Sequence, residues 1–212
     1  PTASNNDMWY SVFAQKFELY TNKKIHVLAG GSSGWSTFQQ YLFIKEIKRS
    51  YDPDLFIFQF CENDFSANLY NFEKLGLLRQ QFLNRPYVNF VDKNLISIKE
   101  NSSFSRVFRF FVNNFRVFSK LDALIQKYQF EKINSQFPYI EKNLENKLNQ
   151  EALSVTTKLL IEIRKLFNDT PAILINCYDY DKNNYFYKKW EKIGIRSNFY
   201  VIIELQNLWE KY

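Results

Sequence analysis

Apolar residues along this chain fall into two patterns, a helical repeat and short continuous runs, separated by polar turns. Met8, Trp9, Val12, Phe13 and Phe17 recur at helical spacing and predict a helix ending near Thr21-Asn22. Ser4-Asn5-Asn6-Asp7 offers N-cap candidates for it. Ile25 to Ala29 reads as a short strand that runs into Gly30-Gly31-Ser32-Ser33-Gly34-Trp35-Ser36-Thr37. A second helix follows, with Ser36 and Gln39 spaced as a capping box and Phe38, Leu42 and Ile47 as its buried face. Residues 55 to 60, after Pro53-Asp54, form a near-continuous apolar run, the pattern of a strand buried on both faces of a parallel sheet. Strand, glycine-rich turn, helix and strand make a βαβ unit, whose crossover should be right-handed.

Residues 66 to 167 read as mainly helical, a helical insertion within the domain. Phe72, Leu75, Leu78 and Phe82 form one stripe, stopped by Asn84-Arg85-Pro86. Val91 to Lys99 predicts a small hairpin around Asp92-Lys93-Asn94. Phe104, Val107, Phe108, Phe111, Phe115, Phe118, Leu121 and Ile125 form a long stripe opposite Arg106, Arg109, Arg116 and Lys120. Its ordinary role is core packing; the sharper alternative is a lid or an interfacial surface for apolar substrates. A further helix runs through Leu148, Val155, Leu159, Leu160, Ile163 and Leu166, and Asn168-Asp169-Thr170-Pro171 breaks it. Ala172 to Asn176 is a second buried strand, ending in Cys177-Tyr178-Asp179-Tyr180-Asp181. Tyr185 to Lys192 predicts a helix with Gly194 as its C-terminal cap, and Val201 to Leu205 a last strand. The fold class is therefore α/β, with a central, mainly parallel sheet flanked by helices.

Composition agrees with a globular chain. It has 212 residues, enough for one domain with a full core, and 46% of them are hydrophobic. With 22 Phe and 14 Tyr, much of the core must be built from rings. The net charge of +6 is spread along the chain, which suits solubility better than a nucleic-acid footprint. No apolar run approaches the ~18 residues of a membrane span. Cys61 and Cys177 each end an apolar run, and two buried free thiols are expected rather than a disulfide, because a core of this size needs no staple.

The chemistry concentrates at two turns. Gly30 to Ser36 holds three of the five glycines, and a glycine turn that opens a helix can cradle an anion or a reaction oxyanion. It is neither Gly-x-Gly-x-x-Gly nor a Walker motif, which leaves a flavodoxin-like nucleotide binder as a third, weaker alternative. Cys61-Glu62-Asn63-Asp64 stands at the carboxyl end of a predicted parallel strand, where open α/β sheets bind ligands. Its ordinary role would be a polar turn. No zinc-type cluster of His, Cys and Asp is present, and no metal is expected. The only histidine, His26, is placed near the start of a predicted strand whose other end would carry the site. Five or so residues at ~3.3 Å each put it roughly 15 Å from the site, too far for a general base.

These two turns resemble the second and third blocks of the SGNH hydrolases, the GDSL-type esterases and lipases. Ser33-Gly34-Trp35-Ser36-Thr37 is similar to the glycine-bearing second block, and Cys61-Glu62-Asn63-Asp64 to the Gly-x-Asn-Asp third block. The Gln39-Gln40 helix, the Tyr51-Asp52-Pro53-Asp54 lead-in and Trp9 also fit that family. The resemblance implies a three-layer, flavodoxin-like SGNH domain over residues 1–212, with Gly34 N–H and the Asn63 side chain as catalytic oxyanion donors and Asp64 as a supporting residue. It implies an ester hydrolase acting on a small ester, an acylated carbohydrate or a lipid, without a cofactor. It also implies a secreted, periplasmic or membrane-anchored setting. Three departures stand beside it. Cys61 replaces a glycine, and neither Gly-Asp-Ser nor Asp-x-x-His occurs in the sequence. The chain is accordingly read as an enzyme domain clipped at both ends. The alternative is a catalytically inactive SGNH-like module that binds a carbohydrate or a protein partner.

Overall fold

The structure, a computed structural model, describes residues 8–31, 34–61, 63–74, 86–91, 94–98, 111, 114–136, 142–167, 169–177, 185–187 and 189–202. In chain order the elements are α1 (Trp9–Thr21), α2 (Thr37–Ile47), β1 (Phe56–Phe60), α3 (Asn63–Ala67), α4 (Tyr70–Lys74), β2 (Tyr87–Val91) and β3 (Asn94–Ile98). They continue with α5 (Arg116–Gln136), α6 (Lys142–Leu166), β4 (Ala172–Asn176), α7 (Lys189–Arg196) and β5 (Tyr200–Ile202). The chain divides into two compact units, Pro1–Ser33 and Gly34–Tyr212.

The first unit holds α1. Its N-cap is Met8, with no side-chain capping bond, rather than one of the polar residues before it. Its C-terminal end falls where the apolar rhythm stops: Asn22 takes a left-handed conformation (φ 54°) and its N–H bonds the Glu18 carbonyl. Asparagine tolerates that region, so it ends the helix as a glycine would. Glu18 Oε1 then accepts the Ile25 N–H at 2.6 Å. Residues 25–29 carry no strand, and Val27 and Leu28 are exposed. The expected βαβ unit is therefore not formed. A short, mostly apolar segment becomes a strand only where a neighbouring strand takes up its backbone groups.

The second unit is mixed α/β. Among the described residues, β1, β4 and β5 form a three-stranded parallel sheet in that order, and β2 and β3 form an antiparallel hairpin. Within β1, Phe56, Phe58 and Phe60 share one face, and Phe58 and Phe60 are buried. On the other face Gln59 is exposed, so β1 is not buried on both faces as its apolar run suggests. The core is built largely from rings: Phe56 stacks on Phe167 at 4.4 Å, Phe60 meets Phe65 edge-on at 5.0 Å, and Phe65 stacks on Phe186 at 4.5 Å.

Helices flank this sheet. On α6, Leu148, Ala152, Val155, Leu159, Leu160 and Ile163 recur every three or four residues and are all buried. On α2 the buried positions are Thr37, Phe38, Tyr41 and Ile44, while Leu42 is exposed, so the face lies about a quarter-turn from the expected one. Helix α7 passes over β4 and β5 at Gly194. A Cβ there would sit 2.5 Å from Leu174 Cδ2 and 2.7 Å from Val201 Cγ2. Gly194 is thus an interior helix residue chosen for close approach, not the helix cap. The stop comes at Asn198 (φ 63°), with the Phe199 N–H bonded to the Gly194 carbonyl at 3.0 Å and the Asn198 N–H to that of Ile195 at 3.1 Å. That is a Schellman ending with asparagine at the left-handed position.

The hairpin is longer than expected, beginning at Tyr87 and pairing Val91 with Asn94. The stripe through Leu75, Leu78 and Phe82 lies outside the described residues, as do Phe104, Val107 and Phe108 of the aromatic stripe. The described part of that second stripe is not core. Of its described members Phe115 (49%), Leu121 (44%) and Ile125 (41%) are exposed, and Phe111 and Phe118 are half-buried. No helix among the described residues is long and apolar enough to cross a membrane.

Candidate functional site

The carboxyl ends of β1 and β4 finish level with each other. Phe60 lies opposite Asn176, and the N–H of Cys177 bonds the Phe60 carbonyl at 2.9 Å. The next residue on each strand is a cysteine, and the two are joined: Cys61 and Cys177 form a disulfide with their Cα atoms 5.2 Å apart. The expectation of two free thiols is therefore overturned. Each cysteine follows the same number of strand residues, so in-register parallel pairing places them side by side at a bridgeable distance. The disulfide closes a loop of 116 residues. In the chain-entropy picture a loop of that size stabilises by about 4–5 kcal/mol.

Immediately after Cys61 the chain turns into α3. The turn is closed on both sides by Asp64. Its N–H bonds the Cys61 carbonyl at 2.8 Å, and its Oδ2 accepts the Cys61 N–H at 3.2 Å. Asp64 is buried (2% exposed), so its carboxylate organises the turn rather than reaching solvent. Asn63, the first residue of α3, is exposed; its carbonyl accepts the Ser66 hydroxyl at 3.1 Å. The structure thus separates the neighbours Asn63 and Asp64 into an outward and an inward residue.

Gly34 lies on the other turn, at φ 82°, a left-handed conformation that glycine adopts without penalty. Two residues later Ser36 caps α2. Its hydroxyl accepts the Gln39 N–H, and Gln39 Oε1 accepts the Ser36 N–H at 3.1 Å, the reciprocal pair that the spacing predicts.

The two turns are tied through Asn68, just past the end of α3. Asn68 is fully buried. Its Oδ1 accepts the N–H of Phe38 in the first turn of α2 at 3.1 Å, and its Nδ2 donates to Thr156 Oγ1 on α6 at 2.9 Å. One amide therefore holds the start of α2, the end of α3 and the middle of α6 together. Sequence reasoning did not single out Asn68 or Thr156. A polar residue between Ala67 and Leu69 and one turn after Asp64 was the available sign, but its partners lie 30 and 88 residues away.

Two titratable groups near this core are perturbed. Burial raises the Tyr41 phenol above its ordinary value, the Glu162 carboxylate adds to the effect and the Lys165 ammonium opposes it. Burial, then the neighbouring Lys192 charge, lowers Lys189, whose ammonium lies over the Tyr185 ring. His26 is exposed and belongs to the Pro1–Ser33 unit. Among the described residues no group of three His, Cys, Asp or Glu is placed to hold a metal ion. The stretch 178–181 after Cys177 lies outside the described residues.

No family model matches this chain, and neither does any of the curated proteins or solved structures with which it was compared.

Proposed function

We propose that the Gly34–Tyr212 unit carries the oxyanion-binding part of an SGNH-type carboxylic ester hydrolase. In such a reaction the ester carbonyl oxygen gains negative charge as a serine oxygen attacks the carbon. Backbone and amide donors held in advance lower the barrier because they need not reorganise. In this reading the Gly34 N–H and the Asn63 side-chain amide are those donors, and Asp64 holds the turn that presents Asn63. The observation that carries the reading is Asn68. Its two buried hydrogen bonds anchor the α2 turn to the β1–α3 turn, so that the two family-like segments share one region of the fold. The left-handed Gly34, the outward Asn63 and the inward Asp64 agree with the roles assigned to them. The nucleophile and base are not assigned to residues of this sequence.

A second reading is a binding module of the same architecture, for an acylated carbohydrate or a protein partner. The observation favouring it is that the single histidine, His26, is exposed and that neither turn carries one.

The test is acetate release by the full encoded protein from 4-nitrophenyl acetate and from O-acetylated oligosaccharides. Hydrolysis that is lost in Asn63→Ala supports the esterase. Saturable binding of the acetylated oligosaccharide without turnover supports the binding module and overturns the esterase.

A further inference from the structure

We propose that the Cys61–Cys177 disulfide is the positioning element of the β1–α3 turn. It fixes the segment that presents Asn63, and its reduction frees that segment while the sheet and core persist. The catalytic consequence rests on the esterase reading; the conformational one does not.

Three observations carry it. First, the turn hangs on Cys61. Two hydrogen bonds of Asp64 end on the Cys61 backbone, one on its carbonyl and one on its N–H. Whatever holds Cys61 therefore holds Asp64 and, one residue before it, Asn63. The covalent link to Cys177 ties Cys61 to the end of β4, a strand buried at Ala172, Leu174 and Ile175. Second, the segment is bounded by anchors that do not need the disulfide. Upstream is β1, paired with β4 along its whole length. Downstream are Phe65, fully buried and stacked on Phe186, and Asn68 with its two buried bonds. Loss of the link therefore releases residues 61–64 and little else. Third, both cysteines are only half-buried, so a small reductant can reach the sulfurs without unfolding the core.

The position of Cys61 matters in the same way. Where the SGNH pattern has glycine, this chain has a cysteine. Glycine leaves a turn free; a cross-linked cysteine restrains it by a bond instead. Disulfides of this kind persist in oxidising compartments and are kept reduced in a reducing cytosol. The inference thus places the working form of the protein in an oxidising setting. The switching step is a dithiol–disulfide exchange. The Cys61–Cys177 bond breaks, the dithiol closes to its cyclic disulfide, and two electrons and two protons pass to the protein thiols.

The experiment uses the full chain, purified without reductant, before and after treatment with dithiothreitol. Alkylation of the untreated, denatured protein should label neither cysteine; labelling of both overturns the proposal. Hydrogen exchange followed by mass spectrometry should then show residues 61–64 exchanging about tenfold faster or more after reduction, as local opening predicts, while α6 stays protected even though the global stability falls. No change at 61–64 makes the link a passenger, and loss of protection throughout makes it a staple of the whole fold; either result overturns the proposal. The Cys61→Ser/Cys177→Ser double variant should reproduce the reduced pattern. If that variant does not fold, the reduced wild-type chain still decides. If ester hydrolysis is present, reduction should lower kcat by about 10–100-fold, as a misplaced catalytic group does. KM should stay within about twofold, and reoxidation should restore kcat. Equal kcat in both states overturns the proposal. Absence of hydrolysis in the oxidised protein removes the esterase reading instead, and the exchange pattern alone then decides the positioning role.

Discussion

Asn68 Oδ1 lies 3.1 Å from the backbone nitrogen of Phe38, and both residues are buried. Phe38 stands in the first turn of α2, where backbone N–H groups have no partner inside the helix. Ser36 satisfies one of these donors from within the turn, and Asn68 satisfies another from across the fold. The geometry of the α2 turn is therefore set partly by local sequence and partly by a residue 30 positions further along the chain.

Replacing Asn68 with Ala should destabilise the fold by about 2–4 kcal/mol, since two buried hydrogen bonds are lost and the Phe38 N–H is left without a partner. Urea unfolding measures this directly. A loss under about 0.5 kcal/mol, the range of an indifferent surface change, would mean that the contact is not made in solution.

Asn63→Ala separates function from stability. An exposed side chain at the start of a short helix should contribute within about 0.5 kcal/mol to folding. If Asn63 is an oxyanion donor, kcat should fall by about 10²–10³-fold with KM little changed. A variant that loses stability in proportion to activity would make Asn63 structural. One that keeps full kcat would remove it from the oxyanion hole.

Gly194→Ala pits helix propensity against packing. Alanine gains up to about 1 kcal/mol in a helix interior. Its Cβ, however, would sit 2.5 Å from Leu174 Cδ2 and 2.7 Å from Val201 Cγ2. Overpacking of that kind costs about 1–3 kcal/mol, and the net effect should be a lowered Tm. A raised Tm would show that α7 can lift off β4 and β5 at little cost.

Tyr41 should make stability fall at alkaline pH. Its phenol is raised above the ordinary 10.0 in the folded chain, chiefly by burial. The folded state therefore holds this proton more tightly than the unfolded state does. The stability gained is fully present below the unfolded value of 10.0 and is lost as pH rises through the folded value. Unfolding measured from pH 8 to about 11 should thus fall more steeply for the wild type than for Tyr41→Phe. Identical slopes would show that Tyr41 is not buried in solution.

Much of the local structure was determined by sequence alone. Asn22 ends α1 where the apolar rhythm stops, Ser36 and Gln39 cap α2, and the stripe from Leu148 to Ile163, recurring every three or four residues, is one buried face of α6. These features depend on residues within about four positions of one another, and their physics is carried by the nearest neighbours in the chain. Ala172–Asn176 was also evident as a strand, because a short apolar run between Pro171 and Cys177 leaves little else.

Tertiary structure decided what depends on partners. Ile25–Ala29 and Phe56–Phe60 look alike as apolar runs, yet only the second is a strand, because β4 pairs with it. Cys61 and Cys177 occupy equivalent places after their strands, but nothing local says that these strands are neighbours; pairing across 116 residues joins them. Gly194 looks like a helix ending until Leu174 and Val201 come within reach of it. Asn68 looks like a turn residue until Phe38 and Thr156 arrive. In each case the deciding energy is a contact between distant segments, and it exists only once the chain has folded.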